Sequence, residues 1–147
     1  MAGRFEGNAR IDRPIEEVFA FLADGQNDPK FSPRVIEIAK TSEGPPGVGT
    51  TYASTVKDAG MKTKREFKLT QFDPPTRIGW TERSKNLVTA PKGGYELAPD
   101  DGGTRLTVYN ELEGHGLGKL LAPLALRAAR KDADAFAERI KQAVEAS

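Results

Sequence analysis

LGKLLAPLALRAARKDADAFAERIKQAV, residues 117–144, is the stretch whose reading decides the fold. After Gly118 it holds no glycine and is rich in Ala, Leu, Lys, Arg and Glu, which predicts one long C-terminal helix. Pro123 lies inside the pattern, so a kink or a helix start is expected near Ala122. Leu121, Ala125, Ala129, Ala133, Phe136, Ile140 and Val144 recur at spacings of three and four and therefore share one face. The ends of that face are bulky and its centre is alanine. One reading is that the alanines let the helix lie close on a sheet. The other is that a curved sheet bends away and leaves a cavity over them, with Leu121, Phe136 and Ile140 gripping at the ends.

Upstream of the helix the pattern is β. Arg4 to Asp12 alternates Phe5, Gly7, Ala9 and Ile11 against polar residues and reads as a strand. Pro14 suits the first position of a short helix, with Glu16 and Glu17 near its positive end. Ile15, Val18, Phe19 and Leu22 form its apolar stripe, and residues 24–29 end it. A brief turn over Phe31 to Arg34 leads into β segments beginning at Val35, Thr50, Met61, Ile78, Leu87 and Arg105. Turn signals at 44–49, Asp58-Ala59-Gly60, Asp73-Pro74-Pro75-Thr76, Lys85-Asn86 and 100–103 separate them. The expectation is a single α+β domain spanning residues 1–147, with an antiparallel meander of about seven strands and its helices on one side.

The hairpins assign the sheet's faces. If Asp73 pairs with Thr76, Leu69 faces Trp80 and Phe67 faces Glu82, all on one side, with Arg65 beyond Phe67. If Leu97 pairs with Leu106, Tyr95 faces Val108 and Gly93 faces Asn110. The concave face then carries Phe67, Leu69, Ile78, Trp80, Tyr95, Leu97, Leu106 and Val108, interrupted by Arg65, Glu82 and Asn110. An apolar wall with a few convergent polar groups is the usual form of a small-molecule site. The other face, with Lys62, Lys64, Glu66, Lys68, Thr107, Tyr109 and Glu111, is expected to be solvated. Gly60, Gly79, Gly93 and Gly94 supply places for the sheet to bend.

Whole-chain properties exclude several classes. The 147 residues are 37% hydrophobic and 29% charged, a globular balance. Lys plus Arg number 22 against 21 Asp plus Glu, and the interspersed signs argue against a nucleic-acid partner. There is no cysteine, hence no disulfide or thiolate chemistry. With no apolar leader and no run long enough to span a bilayer, a cytoplasmic protein is expected, monomer or dimer. The glycine-rich 44–49 stretch lacks the Lys-Ser/Thr of a phosphate loop, so no nucleotide is expected there, and a single histidine without cysteine partners offers no metal site; no cofactor is expected.

Five stretches carry a resemblance. Residues 13–24, 44–52, 72–80, 103–108 and the helix opening 117–124 together resemble, in order, the polyketide cyclase/dehydrase-like families of the START/Bet v1-like (SRPBCC) superfamily. The resemblance covers nearly the whole chain. It implies a helix-grip fold, a curved sheet wrapped on the long C-terminal helix around a cavity for lipids, polyketides, hormones or other hydrophobic small molecules. It implies no single activity, since members include cyclases, aromatases, lipid carriers, receptors, co-chaperone-like domains and toxin-type ribosome binders.

The candidate chemistry is sparse. Tyr52, Trp80, Tyr95 and Asn110 suit ligand-orienting roles, joined in the expected lining by Arg65, Phe67, Leu69, Glu82, Val108, Leu121, Ala125 and Ala129. Glu82 could take a proton from a ligand while Arg65 steadies the oxyanion, although a close arginine weakens a carboxylate as a base. His115, the sole histidine, could serve as an acid or base at a cavity mouth or simply sit in a solvated loop between Gly114 and Gly116. The leading reading is carriage of a hydrophobic molecule. A polyketide cyclase, aromatase or dehydratase is the alternative, and a protein-interaction module the third.

Overall fold

The computed structural model describes residues 2–58 and 60–147. Its elements are β1 (Ala2–Ile11), α1 (Ile15–Ala23), a 3₁₀ segment (Gly25–Lys30), β2 (Val35–Lys40), β3 (Thr51–Asp58), β4 (Met61–Asp73), β5 (Arg77–Glu82), β6 (Val88–Asp100), β7 (Gly103–Gly114) and α2 (Gly118–Glu145). The seven strands form one antiparallel sheet in the order β1-β7-β6-β5-β4-β3-β2. Ala59, within the expected turn at 58–60, lies outside the described residues.

Pro14 is not the first helical residue but the cap before it. Its ψ of 151° is extended, while its carbonyl accepts from Glu17 N and Val18 N. Ile15, Val18, Phe19 and Leu22 are buried as the stripe requires, and Phe21 is buried as well. Phe19 stands edge-on to Phe72 of β4 with ring centroids 5.2 Å apart, so α1 closes one end of the curved sheet.

The β4–β5 hairpin keeps the expected pairs Leu69–Trp80 and Phe67–Glu82. Asp73, however, pairs with Arg77 rather than Thr76, and a bulge between Leu69 and Gln71 absorbs the offset. The β6–β7 hairpin pairs Leu97–Leu106, Tyr95–Val108 and Gly93–Asn110 as expected. Tyr109 departs from its solvated assignment. It is buried because the Arg4 guanidinium stacks over its ring at 4.1 Å.

Helix α2 begins at Gly118, so Pro123 falls within it rather than at a start near Ala122. The helix lies directly on β1. A Cβ on Gly7 would sit 2.0 Å from the Ala133 carbonyl oxygen, and one on Gly3 would sit 2.1 Å from Leu126 Cδ2. At Gly7, where the obstacle is backbone, only glycine permits that approach. Asn8 N donates to Asp134 Oδ1, Arg130 Nε to the Arg4 carbonyl, and Arg13 Nη2 to the Glu145 carbonyl, pinning the helix along its length. Ala133, Ala137, Ile140 and Val144 are buried, and Phe136 packs partly buried against Phe31. Leu121 does not grip: it is 46% exposed, because the first turn is held instead through the buried Gly118, whose missing Cβ would lie 1.8 Å from the Leu87 carbonyl oxygen.

Candidate functional site

The concave face divides into two halves. Beneath the C-terminal half of α2, Tyr95, Leu97, Leu106 and Val108 meet Ile140, Val144 and the α1 stripe in a filled core. Towards the N-terminal half, the inward-facing Phe67, Trp80 and Asn110 are only half-buried, and so are Ala125 and Ala129 on the sheet-facing side of the helix. These inward-facing side chains keep some solvent access, unlike those of the filled half. The alanines bring no bulk to fill this groove.

Strands β3 to β7 build the floor. Trp80 on β5 donates its indole N–H to Asn110 Oδ1 on β7 at 2.9 Å, reaching over β6 at Gly93. A Cβ at Gly93 would lie 2.0 Å from Asn110 Oδ1 and 2.4 Å from Trp80 Nε1, so glycine is required for the bond to cross. The Trp80 ring meets Tyr95 edge-on at 4.9 Å. Tyr52, Leu69, Tyr95 and Val108 are buried in the floor, so they reach the groove from beneath rather than from its rim.

Arg65 and Glu82 meet as the register implied. Arg65 Nη1 donates to both carboxylate oxygens of Glu82, at 3.0 and 2.9 Å, and to the Val88 carbonyl at 3.1 Å. Glu82 also accepts from Ser84 Oγ at 2.5 Å, Asn86 Nδ2 at 3.0 Å and Ala90 N at 2.8 Å. Those bonds occupy every lone-pair direction of a carboxylate whose side chain is wholly buried. The arrangement locks the β5–β6 connection; it leaves no lone pair facing a ligand. Arg65 is more available, since Nε and Nη2 make no hydrogen bond among the described residues.

His115 lies half-exposed at the β7–α2 turn. Its Nε2 shares a hydrogen bond with the buried Thr89 Oγ1 at 2.8 Å, and its Nδ1 lies 3.9 Å from Glu113. That ties the turn to β6, and the hydroxyl beside the ring, Thr89 Oγ1, belongs to a buried residue. Leu121, expected in the lining, is nearly half exposed.

Sequence reasoning missed Asp28. It sits in the 3₁₀ segment, where the sequence shows only a polar helix ending, but the segment folds back against β2 and the interior. Burial, reinforced by Asp24, pushes its carboxyl up to about 7. Its charge reaches two phenols on the floor. Burial, with Asp28 beside it, holds the Tyr95 phenol well above its usual value. Burial also raises Tyr52, partly offset by Gly25 N, which donates to its hydroxyl at 3.3 Å. No sequence signal marks a loop carboxylate that turns inward.

A shallow recess of about 660 Å³ opens elsewhere, bordered by Val48, Lys68, Thr70, Thr81 and Arg83. Its rim is largely charged and polar, unlike the aromatic inward face formed by Phe67 and Trp80.

The architecture is shared with solved structures. The Zhui aromatase/cyclase from Streptomyces sp. R1128 matches with a TM-score of 0.83 at 17% identity, over 99% of this chain and 94% of that one. A START superfamily protein from Mycobacterium smegmatis matches with a TM-score of 0.79 at 14% identity, over 97% of each chain. Ara h 8.0201 matches with a TM-score of 0.72 at 21% identity over the full length of both. At such identities the likeness is one of fold. No curated protein matches the chain significantly. The family model described as polyketide cyclase / dehydrase and lipid transport matches residues 2–145, and the chain belongs to that family.

Proposed function

We propose that this protein binds a hydrophobic small molecule, lipid- or polyketide-like, in the groove between the concave sheet and the first half of α2. The observation that carries the reading is that Phe67 and Trp80 on the concave face, and Ala125 and Ala129 on the helix above it, are all only half-buried. Trp80 already has its N–H satisfied by Asn110, so it offers a ligand an apolar ring rather than an unmet donor. The free donors of Arg65 supply a polar anchor at one end. Fluorescent apolar probes should bind and quench Trp80, the single tryptophan. Ala129→Trp should fill the groove and abolish that binding while the fold survives. Undiminished binding in Ala129→Trp would sink the assignment, as would native mass spectrometry showing no bound ligand after purification from the source cells.

A second reading, a cyclase- or aromatase-type reaction on the bound molecule, is favoured by Asp28. A carboxyl that titrates near neutrality beside Tyr52 and Tyr95 can exchange a proton with a ligand oxygen or an acidic carbon. Asp28→Asn should then abolish turnover of a poly-β-ketone mimic while leaving probe binding intact. Turnover equal to wild type would remove Asp28 from the chemistry.

A further inference from the structure

The first two turns of α2 carry leucines that the fold does not bury. Leu117, Leu120, Leu121 and Leu124 are between 46% and 75% exposed. At the helical advance per residue they fall within an arc of about 100°, centred about 130° from the arc of Ala125, Ala129 and Ala133, with Leu121 at the edge nearest Ala125. Leu87, 52% exposed, lies at the same end of the helix, its backbone against Gly118 and its carbonyl accepting from His115 N at 2.8 Å. A cluster of exposed leucines of this kind on a protein surface marks something that covers it.

Charge says what covers it. From Gly114 to Lys131 the chain holds no Asp or Glu, while Lys119, Arg127, Arg130 and Lys131 are all cationic. Arg127 and Lys131 continue the leucine stripe along the outer face of the helix, one and two turns further on. Acids return only at Asp132, Asp134 and Glu138. The whole chain is close to neutral, at +1, so this is a local segregation rather than a basic protein. A second copy of the chain could cover the leucines, but its own segment would bring no carboxylate to meet these cations. An apolar stripe that runs into Arg and Lys matches the boundary between acyl chains and anionic headgroups.

We infer that the first two turns of α2 dock on an anionic phospholipid surface. The leucines enter the acyl boundary, and Arg127 and Lys131 meet the lipid phosphates. The groove opens under the same two turns, so docking would bring its mouth to the bilayer and let an apolar ligand pass without crossing water. That consequence rests on the proposed ligand site; the docking does not.

The test is flotation of the full chain with vesicles of phosphatidylcholine alone and of phosphatidylcholine mixed with phosphatidylglycerol. Binding to the mixed vesicles only, weakened by salt, is expected. Leu120→Ser with Leu124→Ser should weaken it by at least about 10-fold. Arg127→Glu and Lys131→Glu should each weaken it by about 5-fold or more. All four positions are exposed, and circular dichroism checks that the fold is kept. Failure to float with the mixed vesicles would overturn the inference, as would flotation unchanged in the leucine variant. A dimer in analytical ultracentrifugation that the leucine variant dissolves, without any vesicle binding, would assign the patch to self-association instead. Probe binding to the groove, measured without vesicles, should be the same in wild type and in all these variants, which separates this inference from the ligand site.

Discussion

Trp80 and Asn110 are joined by a 2.9 Å hydrogen bond that spans an entire intervening strand, and Gly93 is the reason it can. The bond fixes the indole flat on the groove floor and satisfies its one donor. Gly93→Ala would place a methyl against both partners, so the bond must break or the ring must tilt. A loss of about 1–3 kcal/mol in denaturant unfolding is expected, the cost of leaving a partly buried donor unmet. Trp80 emission should shift to the red as the ring leaves its site. Emission identical to wild type would mean that the sheet, and not the ring, yields.

Glu82 is the most heavily bonded side chain in the molecule's interior polar groups described above, and that argues for structure over catalysis. Its partners come from β4 through Arg65, from the β5–β6 connection through Ser84 and Asn86, and from β6 through Ala90 N. Glu82→Ala would strand the Arg65 guanidinium and three other donors at once. A loss of about 3–5 kcal/mol is expected. Glu82→Gln keeps the shape but cannot accept all five bonds, so it should fall between wild type and Glu82→Ala. Two variants of wild-type stability would show that water replaces the carboxylate without cost.

Glycine contacts give a sharper contrast. Gly7 lies under α2 with its missing Cβ aimed at the Ala133 carbonyl, a backbone atom that cannot rotate away. Gly7→Ala must lift the helix, which should cost several kcal/mol or prevent folding. Gly47→Ala meets nothing within 4 Å and should change thermal stability by less than about 0.5 kcal/mol. Equal melting temperatures for the two variants would mean that α2 is not seated on β1 as described.

The same contacts explain what was legible in the sequence. Hairpin registers could be read because turn position and side-chain alternation are local, and so the pairs Leu69–Trp80, Phe67–Glu82 and Tyr95–Val108 follow from a few residues each. The bulge at Leu69/Gln71 escaped because it changes the pairing near the turn without changing which face Leu69 and Trp80 share. Leu121 was placed on the gripping face by its spacing from Ala125. How each turn of a helix seats depends on close backbone approaches, here at Gly7 and Gly118, which periodicity within α2 does not record. Of the candidate site, the floor residues were recognised from strand alternation. Asp28 was not, because its burial comes from the path of a short polar segment and from no pattern in its own residues.

Asp28 also sets a pH dependence whose sign can be worked out. Its folded carboxyl is raised to about 7, above its unfolded value of 3.8. Between those values the folded chain holds a proton that the unfolded chain has released, so stability falls as pH rises across that interval. Above about 7 both states are ionised and the full cost of the buried charge is present. Below about 4 both are neutral and the cost is gone. Asp28→Asn removes the charge at every pH. It should therefore be more stable than wild type at pH 8, by an amount on the order of a few kcal/mol at most, and the two should converge near pH 4. Chemical denaturation of both proteins across that range is the measurement. A wild type that gains stability relative to Asp28→Asn as pH rises from 4 to 8 would mean that the Asp28 carboxylate is stabilised in the fold, and that it is not held near its neutral form beside Tyr52 and Tyr95.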